Sequence, residues 1–571
     1  MTARGALATL AVVVLTAGCV GERASEGATG ITTFNRDVAP LLFKHCSSCH
    51  RPAGAAPFAL LTYADARKRV RQIARVTRSR FMPPWLPEPG HGEFSGARRM
   101  TDDEIAVFRD WSKGNAIEGA ASDLPPAPDW PGGWQLGVPD LVVEMPRPYT
   151  LYAEGIDVYR NFVIPAPVTG ARWIRAVEFR PGNPKIVHHA RLFVDRSGTS
   201  RQIDARDPLP GYEGMELGGA ETPDGVLIGW APGRVAHAGL PGMAWRLDAN
   251  TDIVLQLHLL PSGRSERIHA AVGLYFADEP PVLHPYAFVL GSRDIDIAAG
   301  QAGFVVEDSY ELPVDVELLA VYPHAHYLGQ TMRLDATLPD GTSLPLLRID
   351  DWDLNWQDEY HYASPVPLAR GTTLAMRYTY DNSSDNPRNP HDPPQRVTYG
   401  ARTIDEMAEL VLQVLPPNAE QRAVLERDYV DKLKLEAIAY RLRRLAADPE
   451  DVPSLAALGS TYLSLELADE AVGPLREAVQ LRPSDARLHN NLGYALQRLG
   501  NDREAAMHFR KALDLDPDDA DVHLNLAHAL RSLGRLEDAI VHYERTVELR
   551  PDTAAARQAL ERARAELGAR R

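Results

Sequence analysis

The sequence predicts a multidomain chain with a small all-α domain near its start, two all-β sandwich domains in the middle and an all-α solenoid at its end. Three observations carry this reading. Residues 34–120 hold short amphipathic helical stretches, among them TDDEIAVFRDWSKGN, which puts Ile105, Phe108 and Trp111 on one face. From about 155 to 425 the texture changes to short β-type runs such as DIVLQLHLLP, HAAVGLYFAD and TLAMRYTYDN, broken by Pro-Gly, Asp-Gly and Asn-Pro turns. After 425, Pro449, Pro483, Pro517 and Pro551 recur every 34 residues between helical segments. With 571 residues, 44% of them apolar, the chain has enough material for several cores. Its formal net charge of −16, with no basic stripe, excludes a nucleic-acid-binding surface.

The first residues, MTARGALATLAVVVLTAGCVG, pair one arginine with an apolar run too short to span a bilayer, which reads as a signal peptide over 1–18. Thr16-Ala17-Gly18 before Cys19 resembles a bacterial lipobox, so Cys19 is the expected lipidation site. This places the chain in the bacterial periplasm or cell envelope, lipid-anchored and touching the membrane through that anchor alone.

Beyond Cys19 the only cysteines are Cys46 and Cys49, in Cys46-Ser47-Ser48-Cys49-His50. That pattern suits covalent attachment of a c-type haem: two thiols reach the vinyl groups and the adjoining histidine meets the iron. Met82, held extended by Pro83-Pro84, is the expected distal ligand, with Met100 its rival. Residues 34–120 resemble a cytochrome c domain, and the Pro/Gly-rich stretch 121–154 is a linker.

The histidines of the β region are unevenly spread. His324 and His326 alternate on a strand, so they point the same way and can share an ion. His188 and His189 would diverge on a regular strand and can act together only at a strand end, at a bulge or through different ring nitrogens. His258 lies in LQLHL, apolar on both sides. Three imidazoles suit zinc with an open position, and two with a soft sulfur favour copper. Spacing alone leaves open which histidines meet.

PGNPKIVHHARLF, VLQLHLLPSG and VYPHAHYLG, followed about eighty residues on by RTIDEMAEL, resemble the signature blocks of the copper type II ascorbate-dependent monooxygenases, the family of peptidylglycine α-hydroxylating and dopamine β-monooxygenases. The resemblance covers 155 to about 420. It implies two jelly-roll-like copper domains, 155–281 and 282–425. His188, His189 and His258 would hold an electron-donating copper, and His324, His326 and Met407 an oxygen-activating, catalytic one. Tyr322, Glu409 and Val411 stand where the peptide hydroxylase carries an arginine, an asparagine and a tyrosine, which argues against a C-terminal peptide glycine as substrate.

Residues 426–452 read as a helical connector and 453–571 as tetratricopeptide repeats, with small residues at Gly493, Ala505, Ala512, Ala527 and Ala539. The leading expectation is a copper-dependent monooxygenase with two coppers and one c-type haem, hydroxylating a C–H bond with O2. It implies a small-molecule or peptide substrate, an electron donor (a cytochrome, a quinol-linked donor or an ascorbate-like reductant) and a protein partner on the repeats. The alternatives are a periplasmic haem/copper electron-transfer or copper-handling protein without hydroxylase activity, and a repeat-mediated envelope scaffold.

Overall fold

A computed structural model describes residues 30–570, apart from 53, 55, 129–133, 156, 216, 233, 235 and 237. The signal peptide, Cys19 and His237 lie outside the described residues. No helix among the described residues is long and apolar enough to cross a membrane.

The chain divides into two compact units, Met1–Trp85 with Arg98–Pro131, and Leu86–Ala97 with Gly132–Arg571. In the first, a π-turn at Phe34–Val38 runs into the helix Ala39–His45, followed by Tyr63–Arg67, Val70–Arg78 and Asp102–Lys113. The last begins at a reciprocal cap: Thr101 accepts from the Glu104 N–H while the Glu104 carboxylate accepts from the Thr101 N–H. Its apolar face buries Phe108 and Trp111 against Phe34, Val38, Leu42 and Met100.

The cytochrome c-like domain expected over 34–120 is corrected here. The chain leaves this unit after Trp85, and Leu86–Ala97 belongs to the second unit, where Glu88 N–H donates to Arg348 O (2.7 Å) and Phe94 bridges to Tyr362. Helical periodicity locates helices but not the irregular segment between them, because that segment's partners lie some 260 residues away.

In the second unit the strands form four larger, blade-like antiparallel sheets and two two-stranded ones, Tyr149–Leu151 with Glu266–Ile268 and Asp296–Ile297 with Val397–Thr398. The first runs in the order Leu141–Glu144, Ala271–Ala277, Arg172–Arg180, Trp245–Leu247. The second runs Tyr212–Glu213, Val158–Pro165, Asp252–Leu259, Val187–Asp195, Ala220–Glu221, with Gly229–Trp230 added beside Val187–Asp195. The third is Tyr286–Gly291, Glu409–Leu415, Val316–His324, Tyr360–Leu368, and the fourth Ala302–Glu311, Thr373–Asp381, Gly329–Thr337, Ser343–Ile349. This four-sheet body replaces the expected pair of jelly-roll-like sandwiches. Alternating patterning marks where strands lie, whereas pairing is non-local: Leu141 meets Leu274, and Val158 meets Leu259. Inner residues of the first two sheets, such as Ile174, Leu274, Leu192 and Leu255, share one core.

Ala419–Ala447 is a single long helix capped by Asn418, whose side chain accepts from Gln421 N–H. Seven shorter helices would complete three pairs and a cap; six of them, from Val452–Ser464 to Leu536–Leu549, form the pairs, and Ala554–Arg570 closes the array. Small residues at the crossings let helices approach: a side chain on Gly493 would meet Phe509 at 2.7 Å.

Candidate functional site: a three-histidine cluster in the β body

Val187–Asp195 and Asp252–Leu259 are the central strands of the second sheet and are almost wholly buried. Their register pairs His258 with His189 and Leu259 with Val187, so His188 is the extra residue of a β-bulge. The bulge is what lets two adjacent histidines turn to the same place. His188 Nδ1 lies 3.1 Å from His189 Nδ1 and 3.0 Å from His258 Nδ1. Among the described residues, these three form the one group of three or more histidine, cysteine or carboxylate donors that converge.

Neighbours orient the rings. His258 Nε2–H donates to Asp157 Oδ2 (2.6 Å), which leaves its Nδ1 as a bare lone pair, and its ring stacks on Tyr159 at 4.2 Å. Thr403 Oγ1–H donates to the other carboxylate oxygen of Asp157 (2.6 Å). Burial disfavours the Asp157 charge, but the His258 and Thr403 hydrogen bonds outweigh it and hold the carboxyl below its ordinary range. Burial, with His258 beside it, drives His188 down to about 3, and His189 is lowered by the same causes. His188 and His189 are therefore neutral, and an ion held among the three rings would displace the Gln357 N–H that His189 Nδ1 accepts.

His324 ends the strand Val316–His324, so strand alternation does not position His326. A loop does: His326 N–H and Leu328 N–H donate to the Glu406 carboxylate, His326 Nδ1–H to Asp405 O (3.1 Å), and Trp352 Nε1–H to His326 O (3.1 Å). The two rings stand 5.1 Å apart, and the Nε2 of each is buried with no hydrogen-bond partner. Met407, next in sequence to Glu406, is buried, its N–H donating to that carboxylate (2.9 Å) and its carbonyl accepting from the Tyr380 hydroxyl (2.9 Å). Burial raises the Glu406 carboxyl to about 8 against its three backbone donors.

One amide joins the two histidine groups. Gln357 Oε1 accepts from His324 Nδ1–H (2.8 Å) while Gln357 Nε2–H donates to His189 Nδ1 (2.9 Å). Gln357, Asp157, Thr403 and Glu406 were not singled out in the sequence reading. Only the Glu406 position, next to Met407, offered a hint. A cavity of about 210 Å³ flanks the same sheet, lined by Ala190, Leu192, Trp230, Met243 and Trp245, with Arg234 and His361 at its polar side.

In the first unit, Cys46 and Cys49 are free thiols, and burial with Cys49 alongside pushes Cys46 up to about 12. His50 Nδ1 lies 3.0 Å from Phe58 O, Met82 N–H donates to Val76 O (3.1 Å), and Met100 fills the helical core. Among the described residues, Cys46, Cys49 and His50 do not join a convergent cluster of three or more donors.

Two family models match, both described as tetratricopeptide repeat, over residues 456–520 and 499–563. No curated protein matches. Among solved structures, "Crystal structure of MamA" is 27% identical, covering 25% of this chain and 83% of that one with a TM-score of 0.24. "First TPR of Spaghetti (RPAP3) bound to HSP90 peptide SRMEEVD" is 25% identical over 21% of this chain and 96% of that one, TM-score 0.21. "Arabidopsis OM64 TPR domain" is 23% identical over 20% and 95%, TM-score 0.20.

The two family matches fall on the repeats, and the four-sheet strand topology with a single convergent donor cluster among the described residues overturns the copper-monooxygenase resemblance. The reading of the chain as a hydroxylating oxidoreductase with two coppers and a c-type haem is corrected to that of a chain with tetratricopeptide repeats over 456–563, a four-sheet β body and, among the described residues, one three-histidine cluster. Tetratricopeptide arrays are protein-interaction modules, and a protein partner is what this array implies.

Proposed function

We propose that this chain is a scaffold that holds a protein partner on its repeat array, with the β body carrying a metal ion at His188, His189 and His258. The array carries the reading. Beside the apolar core they share, the first helices of successive repeats are joined sideways by amides and hydroxyls: Asn491 Nδ2–H donates to Ser460 Oγ (3.3 Å) and Asn525 Nδ2–H to Asn490 Oδ1 (3.0 Å). Tyr494 is exposed on the same helix as Asn490 and Asn491. Such a row offers both donors and acceptors to the backbone of an extended peptide segment.

For the metal site, the donor chemistry is the support. Imidazole suits late first-row transition ions. Two nitrogens about 2.05 Å from one tetrahedral ion stand about 3.3 Å apart, close to the spacings of this cluster. A carboxylate behind one ring is the usual orienting arrangement.

A photo-crosslinking residue placed at Asn491 or Asn525 in the full chain, in cells, tests the scaffold. The expected result is a discrete protein adduct from both positions and none from Met507, which is exposed on a second helix. The same adducts from Met507, or none from Asn491 and Asn525, overturn the reading.

A further inference from the structure

Two histidine pairs recur in the array at the repeat period. His489 Nδ1 lies 3.0 Å from His508 Nδ1, and 34 residues on His523 Nδ1 lies 2.9 Å from His542 Nδ1. Each pair joins the two helices of one repeat. The details repeat as well. His489 Nε2–H donates to Pro483 O (3.0 Å) and His523 Nε2–H to Pro517 O (2.9 Å). Ring centroids are 5.3 and 5.2 Å apart, with the planes at 29° and 33°.

We propose that His489 with His508, and His523 with His542, are two equivalent binding sites for a divalent transition ion such as Zn²⁺, each closing one repeat.

The backbone carbonyl fixes the tautomer of the inner ring of each pair. With Nε2 protonated, the Nδ1 of His489 and of His523 is a lone pair aimed at the opposite ring, the way a ligating histidine is ordinarily braced. Opening the Nδ1–Nδ1 spacings by about 0.3–0.4 Å reaches the separation that two nitrogens on one tetrahedral ion need. In the metal-free pair, His508 Nδ1–H donates to His489. On binding, that proton moves through solvent to the half-exposed His508 Nε2, and both Nδ1 atoms ligate with no net release. The same exchange serves His542.

The surroundings are matched too. Glu504 and Asp538 stand one helical turn before His508 and His542, where they offset the ion's charge, held in turn by Arg476 (2.9 Å) and Arg535 (2.6 Å). Burial and the facing histidine lower His508, with Arg476 adding to this and Glu504 opposing. The same causes, with Arg510 adding and Asp538 opposing, bring His542 to about 4. The first repeat has Leu455 and Pro474 at the corresponding positions, so the pairs are an addition to the fold and not a requirement of it.

The test uses the full chain and Zn²⁺ alone, in equilibrium dialysis with metal analysis. His489→Leu and His523→Leu each place at the second or third repeat the residue that the first already carries. Each variant is expected to bind one Zn²⁺ fewer than the parent chain, and the double variant two fewer, with helical circular dichroism unchanged. An unchanged Zn²⁺ count in the double variant overturns the proposal. In the parent chain, Zn²⁺ is expected to protect His489, His508, His523 and His542 from carbethoxylation, read by peptide mass spectrometry. Equal modification with and without Zn²⁺ overturns it as well, whatever the variants do.

Discussion

Asp157→Asn is the sharpest probe of the three-histidine cluster. The carboxylate holds His258 through a 2.6 Å hydrogen bond and is itself held by Thr403, so it sets both the tautomer and the direction of one of three donors. Asparagine keeps the shape and removes the charge. A charge-assisted hydrogen bond is roughly twice as strong as a neutral one, and losing the partner behind a ligating histidine typically weakens metal binding 10- to 100-fold. At about 1.4 kcal/mol per decade this is about 1.4–2.7 kcal/mol. The assay is chelator competition for Zn²⁺ on the full chain carrying His489→Leu and His523→Leu, so that one class of site remains. Asp157→Asn is expected to raise the Kd 10- to 100-fold, and His258→Ala to abolish the class. If Asp157→Asn leaves the Kd unchanged while His258→Ala abolishes binding, the orienting argument is wrong. If His258→Ala also binds as before, the cluster is not a metal site.

Two further outcomes follow from the packing and the charges. Tyr429→Phe removes a hydroxyl that donates to Val289 O (2.7 Å) and accepts from Val289 N–H (3.0 Å), tying the long helix to the third sheet. It should cost about 1–3 kcal/mol in denaturant unfolding of the β body, the penalty for leaving a strand's donor and acceptor unpaired. In the first unit, burial pushes the Glu104 carboxyl up, but Lys44 (2.9 Å), the Thr101 N–H (2.9 Å) and His45 (3.1 Å) outweigh it and hold it at about 2. A depressed carboxyl stabilises the fold fully above its ordinary value near 4.5 and loses that contribution as pH falls toward 2. Helical signal from the first unit should fall in that window, and Glu104→Gln should flatten the dependence. A profile identical in the two proteins would refute the assignment.

The repeats were the most legible part of the chain. Pro483, Pro517 and Pro551 mark the ends of helix pairs, and Gly493 and Ala527 mark close crossings, because each repeat packs mainly on its neighbours and so writes its contacts into a short period. The β body was legible only as strands. Three of its larger sheets join segments about a hundred or more residues apart, and the mistaken jelly-roll and cytochrome expectations both failed at non-local connections of this kind.

The candidate site divides the same way. That His188 and His189 act together only at a strand end, at a bulge or through different ring nitrogens follows from strand geometry and could be stated before any fold was known. That the bulge exists, and that Asp157, Thr403 and Gln357 brace the trio of His188, His189 and His258 that the resemblance had grouped, was settled only by tertiary structure. A carboxylate 101 residues from its histidine and a hydroxyl 246 residues from that carboxylate leave no local pattern to read. The sequence alone determined which elements form, through contacts a few residues apart. Which elements meet depended on burial shared across the whole chain.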